Sequence, residues 1–445
     1  MNRTDPPRRR SHFSEILSRY TAWLIPGIQV KRWFLLILLG ITLLAVGSGI
    51  LLLDIYRNAP DTWWLPAIST ASLRFLPRPV RALIFGGLGL GMIVVGMIEL
   101  NRSLIQPLMR PGLSLADVLR MRRRRERGPR IVAIGGGHGL STLLRGIKKY
   151  SDNITAIVTV ADDGGSSGRL RSGLGVLPPG DIRSCLAALS DDEAFLGQLF
   201  QYRFPTSEAG LDGHSFGNLF ITALAEITGS FEAAVAESGR VLNVRGRVLP
   251  ATVHDVRLAA DVVLPQISQE VRVQGESQIP KSNGRVRHVW LEPNNPPAFP
   301  EVIRAILAAE LIVIGPGSLY TSLLPNLLVP DLADAIRSSQ ALKVYVCNVA
   351  TERGETNHFS CGDHIRVIED HVPGRLFDFT LANASYDSKL PENVEYVRVE
   401  PDLQDDYRIV QADLVDNLYP WRHDSAKLAQ AILGIFQDRS GSLVE

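Results

Sequence analysis

Arg130–Ile134 reads as a short buried strand that runs straight into Gly135, Gly136 and Gly137. Residues 139–150 carry a helix pattern, and Ile154–Val160 is a second apolar run. Strand, glycine turn, helix, strand is the order of a parallel sheet, because parallel neighbours need a helical crossover. The order recurs. A helical stretch closes at Ala305–Ala309, Leu311–Ile314 is a strand, and Gly315-Pro316-Gly317-Ser318 is its turn. Ala341–Val346 is a further strand that leads into Cys347 and Asn348. Between these halves, residues 242–300 alternate β-like runs with Pro, Gly and Asn, as a β-rich insertion or a set of edge strands would. The expected fold is α/β: a doubly wound, Rossmann-like, mainly parallel sheet over residues 129–440.

The residues before it follow another logic. Trp33 to Leu53 holds 21 residues without a charge, and Ala82 to Ile98 holds 17 more, rich in glycine. About 20 apolar residues in a helix cross a hydrocarbon core of about 30 Å. Two transmembrane helices are therefore expected ahead of the α/β domain. The implied division is a basic segment at 1–32, a helical hairpin at 33–100, a basic linker at 101–128 and the α/β domain at 129–440. A buried core helix is the alternative for each stretch. A cleaved signal peptide fits poorly, since 32 residues, many polar, precede the first stretch.

Charge orients such a hairpin. Residues 1–130 carry 20 Lys+Arg against 7 Asp+Glu, and the whole chain balances at +1. The basic residues flank the two apolar stretches, with Arg122 to Arg125 consecutive, so both ends are expected on the cytoplasmic side of a cell membrane. The arginine run suits anionic lipid headgroups, or is a solvated stop signal. An acidic remainder excludes a uniformly basic nucleic-acid binder. Three cysteines, Cys185, Cys347 and Cys361, exclude a disulfide scaffold and point to a reducing compartment.

Chemistry-bearing residues gather at the strand ends. Gly135, Gly136, Gly137, His138 and Gly139 open a helix whose free N–H groups suit an anion. The pattern is neither a complete G-x-G-x-x-G, since Thr142 takes its last place, nor a Walker A loop. After the second strand come Asp162, Asp163, three glycines, Ser166, Ser167 and Arg169. Such carboxylates bind a ribose diol, hold Mg²⁺ or accept a proton, and the hydroxyls and arginine suit phosphate oxygens. A helix-capping Asp alone explains neither the glycines nor the density. Asp181, after Pro178-Pro179-Gly180, reads as a helix N-cap or as a site residue. His214 and Asn218 sit in a loop-to-helix turn. Gly315, Gly317 and Ser318 form the second strand-end turn, and two anion-competent turns on one sheet edge would suit a diphosphate. No His or Cys set has zinc spacing, and no G-x-S-x-G elbow is present.

These residues resemble the YvcK-type gluconeogenesis factors, a branch of the CofD-like superfamily. The resemblance is carried by Ile131 through Gly139, Ala161 through Arg171, Pro178 through Arg183, Gln201 through Phe204 and Gly213-His214-Ser215 with Gly217-Asn218. It continues through Gly275-Glu276-Ser277-Gln278-Ile279, Gly315 through Ser322 and Gly354-Glu355-Thr356. It spans about 130–440. It implies a protein that binds UDP-sugars such as UDP-N-acetylglucosamine and links carbon metabolism to cell-wall synthesis and cell shape. The other branch implies a Mg²⁺-dependent 2-phospho-L-lactate transferase. The resemblance carries ligand contacts over to Gly135, Gly136, Gly137, Gly139, Asp162, Asp163, Ser166, Ser167, Gly315, Gly317 and Ser318, and places Arg422 near the phosphates. Val349-Ala350-Thr351-Glu352-Arg353 departs from the usual uncharged stretch before Gly354.

Two functions follow as expectations. One is a membrane-tethered UDP-sugar sensor that requires no cofactor, meets cell-wall synthesis proteins, forms a homo-oligomer and binds no nucleic acid. The other is a transferase using Asp162 or Asp163 with Mg²⁺.

Overall fold

The computed structural model describes residues 75–105, 125–190, 195–205, 213–264, 269–401 and 408–440, with a few isolated positions besides. The chain divides into two units, Met1–Arg122 and Arg123–Glu445.

In the first unit, helix α1 spans Arg78–Ile105 and leaves Leu83, Leu90, Met92 and Val95 exposed. The second expected span lies inside it. Among the described residues, however, no helix is long and apolar enough to cross a membrane. The first stretch, 33–53, falls almost wholly outside the described residues, so the expected hairpin gains no support from them.

The second unit is built on seven parallel strands in the order β10-β9-β8-β7-β1-β2-β3. Strands β1 (Ile131–Gly135), β2 (Ile154–Val158) and β7 (Leu311–Ile314) are buried along their whole length. Runs such as IVAIG, ITAIV and LIVI have no polar face, so both faces of the sheet must be covered, and helices cover them. Helix α2 (Gly137–Ile147) buries Leu140, Leu143, Leu144 and Ile147, an i, i+3, i+4, i+7 stripe. The remaining strands are β3 (Arg247–Pro250), β8 (Leu342–Val346), β9 (Phe379–Asn383) and β10 (Ile409–Ala412).

Among the described residues the elements of the crossover from β2 to β3 are helices: α3 (Gly165–Leu174), α4 (Gly180–Leu189), α5 (Phe195–Gln201), α6 (Phe216–Thr228) and α7 (Phe231–Val241). From β3 the chain forms a separate antiparallel sheet, β5-β4-β6, from β4 (Arg257–Val263), β5 (Glu270–Gln274) and β6 (Arg285–Glu292). The β-rich stretch of the sequence thus supplies one edge strand of the main sheet and a small sheet of its own. Helix α8 (Pro300–Ala308) returns the chain to β7. Then come α9 (Leu324–Leu327), α10 (Pro330–Ser338), α11 (Cys361–His371) and α12 (Ser425–Ser440).

From β1 the chain winds outward through β2 and β3, while β7 to β10 build the other side. The switch point therefore lies between β1 and β7, where Ile131 pairs with both Ile154 and Leu311. Ligands of open α/β sheets bind outside the carboxyl ends of the strands at such a point.

Candidate functional site

Both glycine turns leave the sheet there, and they touch. A Cβ on Gly139 would lie 2.5 Å from the Pro316 carbonyl oxygen and 2.9 Å from the Gly317 Cα. Gly137 has φ +59°, a left-handed conformation that glycine adopts freely. Buried amides stitch the turns. Asn326 donates from Nδ2 to the Gly135 and Ser322 carbonyls at 2.9 and 2.7 Å. Asn348 accepts the Gly317 N–H at 3.3 Å and donates back to the Gly317 carbonyl at 3.1 Å.

Asp181 faces the first turn from α4. It is not an N-cap: Pro179 holds that position, without a side-chain cap. Its Oδ2 lies 2.5 Å from where a Cβ of Gly136 would stand. Burial lifts its carboxyl to about 7, the neighbouring Asp162 adds to this, and the Gly137 N–H and Arg183 offset part of it. Asp181 keeps part of its surface exposed while its carboxyl is walled by protein, which is the environment that disfavours a charge.

The aspartate loop is held by its own residues. Asp162 Oδ1 accepts the Gly164 N–H at 2.8 Å, and Asp163 Oδ1 accepts the Ser277 N–H at 2.8 Å. Ser166 and Ser167 are buried, and Asn218 Nδ2 donates to their hydroxyls at 3.0 and 3.4 Å. His214 Nδ1 meets Ser166 Oγ at 3.0 Å, and Arg169 Nε donates to His214 Nε2 at 3.3 Å. A guanidinium only donates, so Nε2 is unprotonated and Nδ1–H donates to the serine. Ser215 caps α6 by accepting the Asn218 N–H at 3.2 Å. The hydroxyls that the sequence reading offered to phosphate are thus engaged in holding α3 against the start of α6.

Six carboxyl groups bear on this edge: Asp162, Asp163, Asp181, Glu276, Glu352 and Glu355. Burial raises Asp162, and burial raises Glu276 well above the usual range, with Asp162, Asp181, Glu355 and Asp163 adding to it. Burial pushes Glu355 up to about 8, Glu352 adding to it, and burial raises Glu352 itself. Glu355 Oε1 accepts from the Thr321 hydroxyl at 3.0 Å. Oε2 of Glu276, Glu352 and Glu355 is in each case buried without a partner. Arg183 is buried, with Nε and Nη1 unpartnered, and burial lowers it to about 10. Glycine at 217 makes room for its stem: a Cβ there would lie 2.8 Å from the Arg183 Cγ. Among the described residues no three His, Cys, Asp or Glu groups are placed to hold one metal ion.

The sequence profile described as "2-phospho-L-lactate transferase CofD" matches residues 131–418. The chain belongs to the CofD family. Within it, a relative from Nostoc sp., described as a candidate gluconeogenesis factor, is 48% identical over 446 residues, 95% of this chain and 94% of its own. The gluconeogenesis factor of Bacillus subtilis is 44% identical over 320 residues, 70% of this chain and 99% of its own. A crystal structure of a UPF0052-family protein from Bacillus halodurans matches with a TM-score of 0.64 and 43% identity, over 69% of this chain and 99% of that one.

On this CofD-family scaffold, the glycines of both turns, Asp162, Asp163, Asp181, Ser166, Ser167, Arg169, His214 and Asn218 collect at one edge of the sheet. His138 is exposed in the first turn of α2. Partial burial of its ring lowers its pKa, and the charges of Arg422, Arg145 and Arg183 lower it further. The C-terminal segment reaches this edge through His423 Nε2, 3.2 Å from the Cys347 carbonyl just after β8. Site reading from sequence omitted Arg183, Glu276, Glu352 and Glu355. All four lay in plain view within quoted motifs or beside them. For Glu276 and Glu355 the signal is an acid directly after a glycine of positive φ, Gly275 at +102° and Gly354 at +84°. Arg183 and Glu352 carry no such local signal.

Proposed function

We propose that this chain is a membrane-tethered UDP-sugar-binding regulator, with UDP-N-acetylglucosamine as its ligand, that couples carbon metabolism to cell-wall synthesis and cell shape. The observation that carries the ligand is the pair of touching glycine turns at the switch point. Arg183, whose buried Nε and Nη1 have no protein partner, is a charged neighbour of Asp181 and Asp162. Two such turns supply backbone N–H groups for a diphosphate, and a buried guanidinium is a strong partner for one. The names of the gluconeogenesis-factor relatives support the regulatory role. The tether rests on the two uncharged stretches 33–53 and 82–98 and the basic residues outside them; a hairpin of the two would keep both ends on the cytoplasmic side.

A second reading is the transferase named by the family profile. Asp181, held near neutrality beside the first turn, is the group it favours as a general base. Mg²⁺ would be held by Asp162 or Asp163, each of which already accepts one backbone N–H through Oδ1. When bound, the ion would neutralise phosphate charge.

A thermal-shift panel on the full chain in detergent tests the ligand class. UDP-sugars are expected to raise the melting temperature more than GDP or nicotinamide nucleotides. A response confined to the guanine or nicotinamide ligands would overturn the proposal.

A further inference from the structure

Among the described residues several buried acids are incompletely paired, and a diphosphate does not explain them. Glu276, Glu352 and Glu355 each keep a buried oxygen without a partner. Glu355 is more than nine-tenths buried. Unpaired buried carboxyl oxygens cost stability, so they persist where something else completes them.

The three come from two segments that are pressed together. A Cβ on Gly354 would strike the Pro280 carbonyl oxygen, which joins the 275–280 segment to the 352–356 segment. The first segment is pinned to the aspartate loop through the Ser277 N–H on Asp163. The second is closed on itself, with the Glu352 carbonyl accepting the Glu355 and Thr356 N–H groups at 3.1 and 2.9 Å. It is also pinned to the second glycine turn, through the Thr321 hydroxyl on Glu355. The acids therefore stand just beyond that turn, on the same edge of the sheet as the phosphate-competent N–H groups.

Next to a phosphate, bare acids repel. They are useful only if hydrogen-bond donors stand between. Spread acceptors, with no three groups placed to share one ion, fit donors that are themselves spread, and hydroxyls around a sugar ring are such donors. A carboxyl that keeps its proton adds a donor of its own, which matches hydroxyl and amide groups in both directions.

We propose that Glu276, Glu352 and Glu355 form a receptor for the hydroxyl-bearing group attached to the far phosphate, and so set the preference for a nucleotide-sugar over the bare nucleotide. This rests on the nucleotide-sugar reading above.

Calorimetry on the full chain in detergent tests it, with UDP, UDP-glucose and UDP-N-acetylglucosamine, each with Mg²⁺ and with EDTA. The wild type is expected to bind a UDP-sugar at least tenfold more tightly than UDP. Glu355→Gln, Glu276→Gln and Glu352→Gln, measured singly, are expected to cut that ratio to threefold or less while UDP binds as well or better. Circular dichroism selects the variants that fold, and any one of the three suffices. Equal affinity of the wild type for UDP and UDP-sugar overturns the receptor alone. So does a parallel loss of both ligands in the variants, or a ratio that exists only with Mg²⁺, which would mark a cation site. Silence of the wild type toward every uridine ligand overturns the nucleotide reading itself.

Discussion

The two edges of the seven-stranded sheet carry similar residue types in opposite states. At the amino-terminal edge, charges are paired and solvated: Arg130 with Glu310 at 3.4 Å, Arg245 with Asp152 at 3.3 Å, Arg247 with Glu301 at 3.8 Å. A cavity of about 320 Å³ opens there, lined by Arg130, Asp152, Asn153 and Arg247 among others. At the carboxyl-terminal edge, Asp181 and Glu355 are raised by burial, and Arg183, Glu276, Glu352 and Glu355 keep buried polar atoms unpartnered. A cavity alone does not make a site. The first edge asks for nothing, since its charges complete one another, whereas the second holds donors and acceptors that no protein group completes.

The largest break in this contrast is steric. Gly139→Val forces a side chain into the Pro316 carbonyl and drives the two turns apart. Calorimetry is expected to show a loss of UDP-sugar affinity of a hundredfold or more, about 2.7 kcal/mol. Retained affinity in a folded Gly139→Val protein would show that the phosphates lie elsewhere.

Arg183→Met comes next. It keeps much of the buried stem and removes two unpaired donors. Charge-assisted hydrogen bonds contribute about 1.5–3 kcal/mol, so a loss of roughly tenfold to a hundredfold is expected in the same titration. Because the guanidinium is incompletely paired in the free protein, the melting temperature should change little or rise.

A smaller effect separates the edges by pH. Burial raises Asp181 to about 7 and Glu355 to about 8, from 3.8 and 4.5. The folded protein then holds these protons where the unfolded chain has released them. Their contribution is complete below about pH 4 and is lost as pH rises through the two folded values. The melting temperature of the free protein should fall from about pH 4 and level off above about pH 8, and Glu355→Gln should flatten that fall, most visibly its upper part between the two folded values. An unchanged slope in the variant would remove Glu355 from the titrating set.

The smallest effect is expected at the other edge. Exposed ion pairs contribute about 0–1 kcal/mol. Arg247→Ala should therefore shift stability by no more than about 1 kcal/mol and leave UDP-sugar affinity within about twofold. A large loss of binding there would move the site to the amino-terminal cavity.

How far the sequence reached follows from the range of the interactions. Strands β1, β2 and β7 are legible within a residue or two, because an uninterrupted apolar run ending on glycine has few other uses. The glycine turns are legible for the same reason. Helix α2 starts earlier than the pattern suggests, since Gly137 and His138 already belong to it. The role of Asp163 was not legible: its partner, Ser277, is 114 residues away. Nor were the three glutamates, each of which reads as an ordinary loop acid until the 275–280 and 352–356 segments are pressed together. The sequence allows Asp181 to be a cap or a site residue, and the structure leaves the cap to Pro179.

One titration bears on the whole scheme: UDP-N-acetylglucosamine into the full chain, with mass analysis of the ligand recovered afterwards. Binding in the micromolar range, about −8 kcal/mol, with the ligand intact with or without Mg²⁺ and with affinity weakened about 1–3 kcal/mol by Asp162→Asn, is the predicted result. Release of UMP, or transfer of a phosphoryl-linked group to an added acceptor that Asp162→Asn abolishes, would contradict it and make the chain an enzyme.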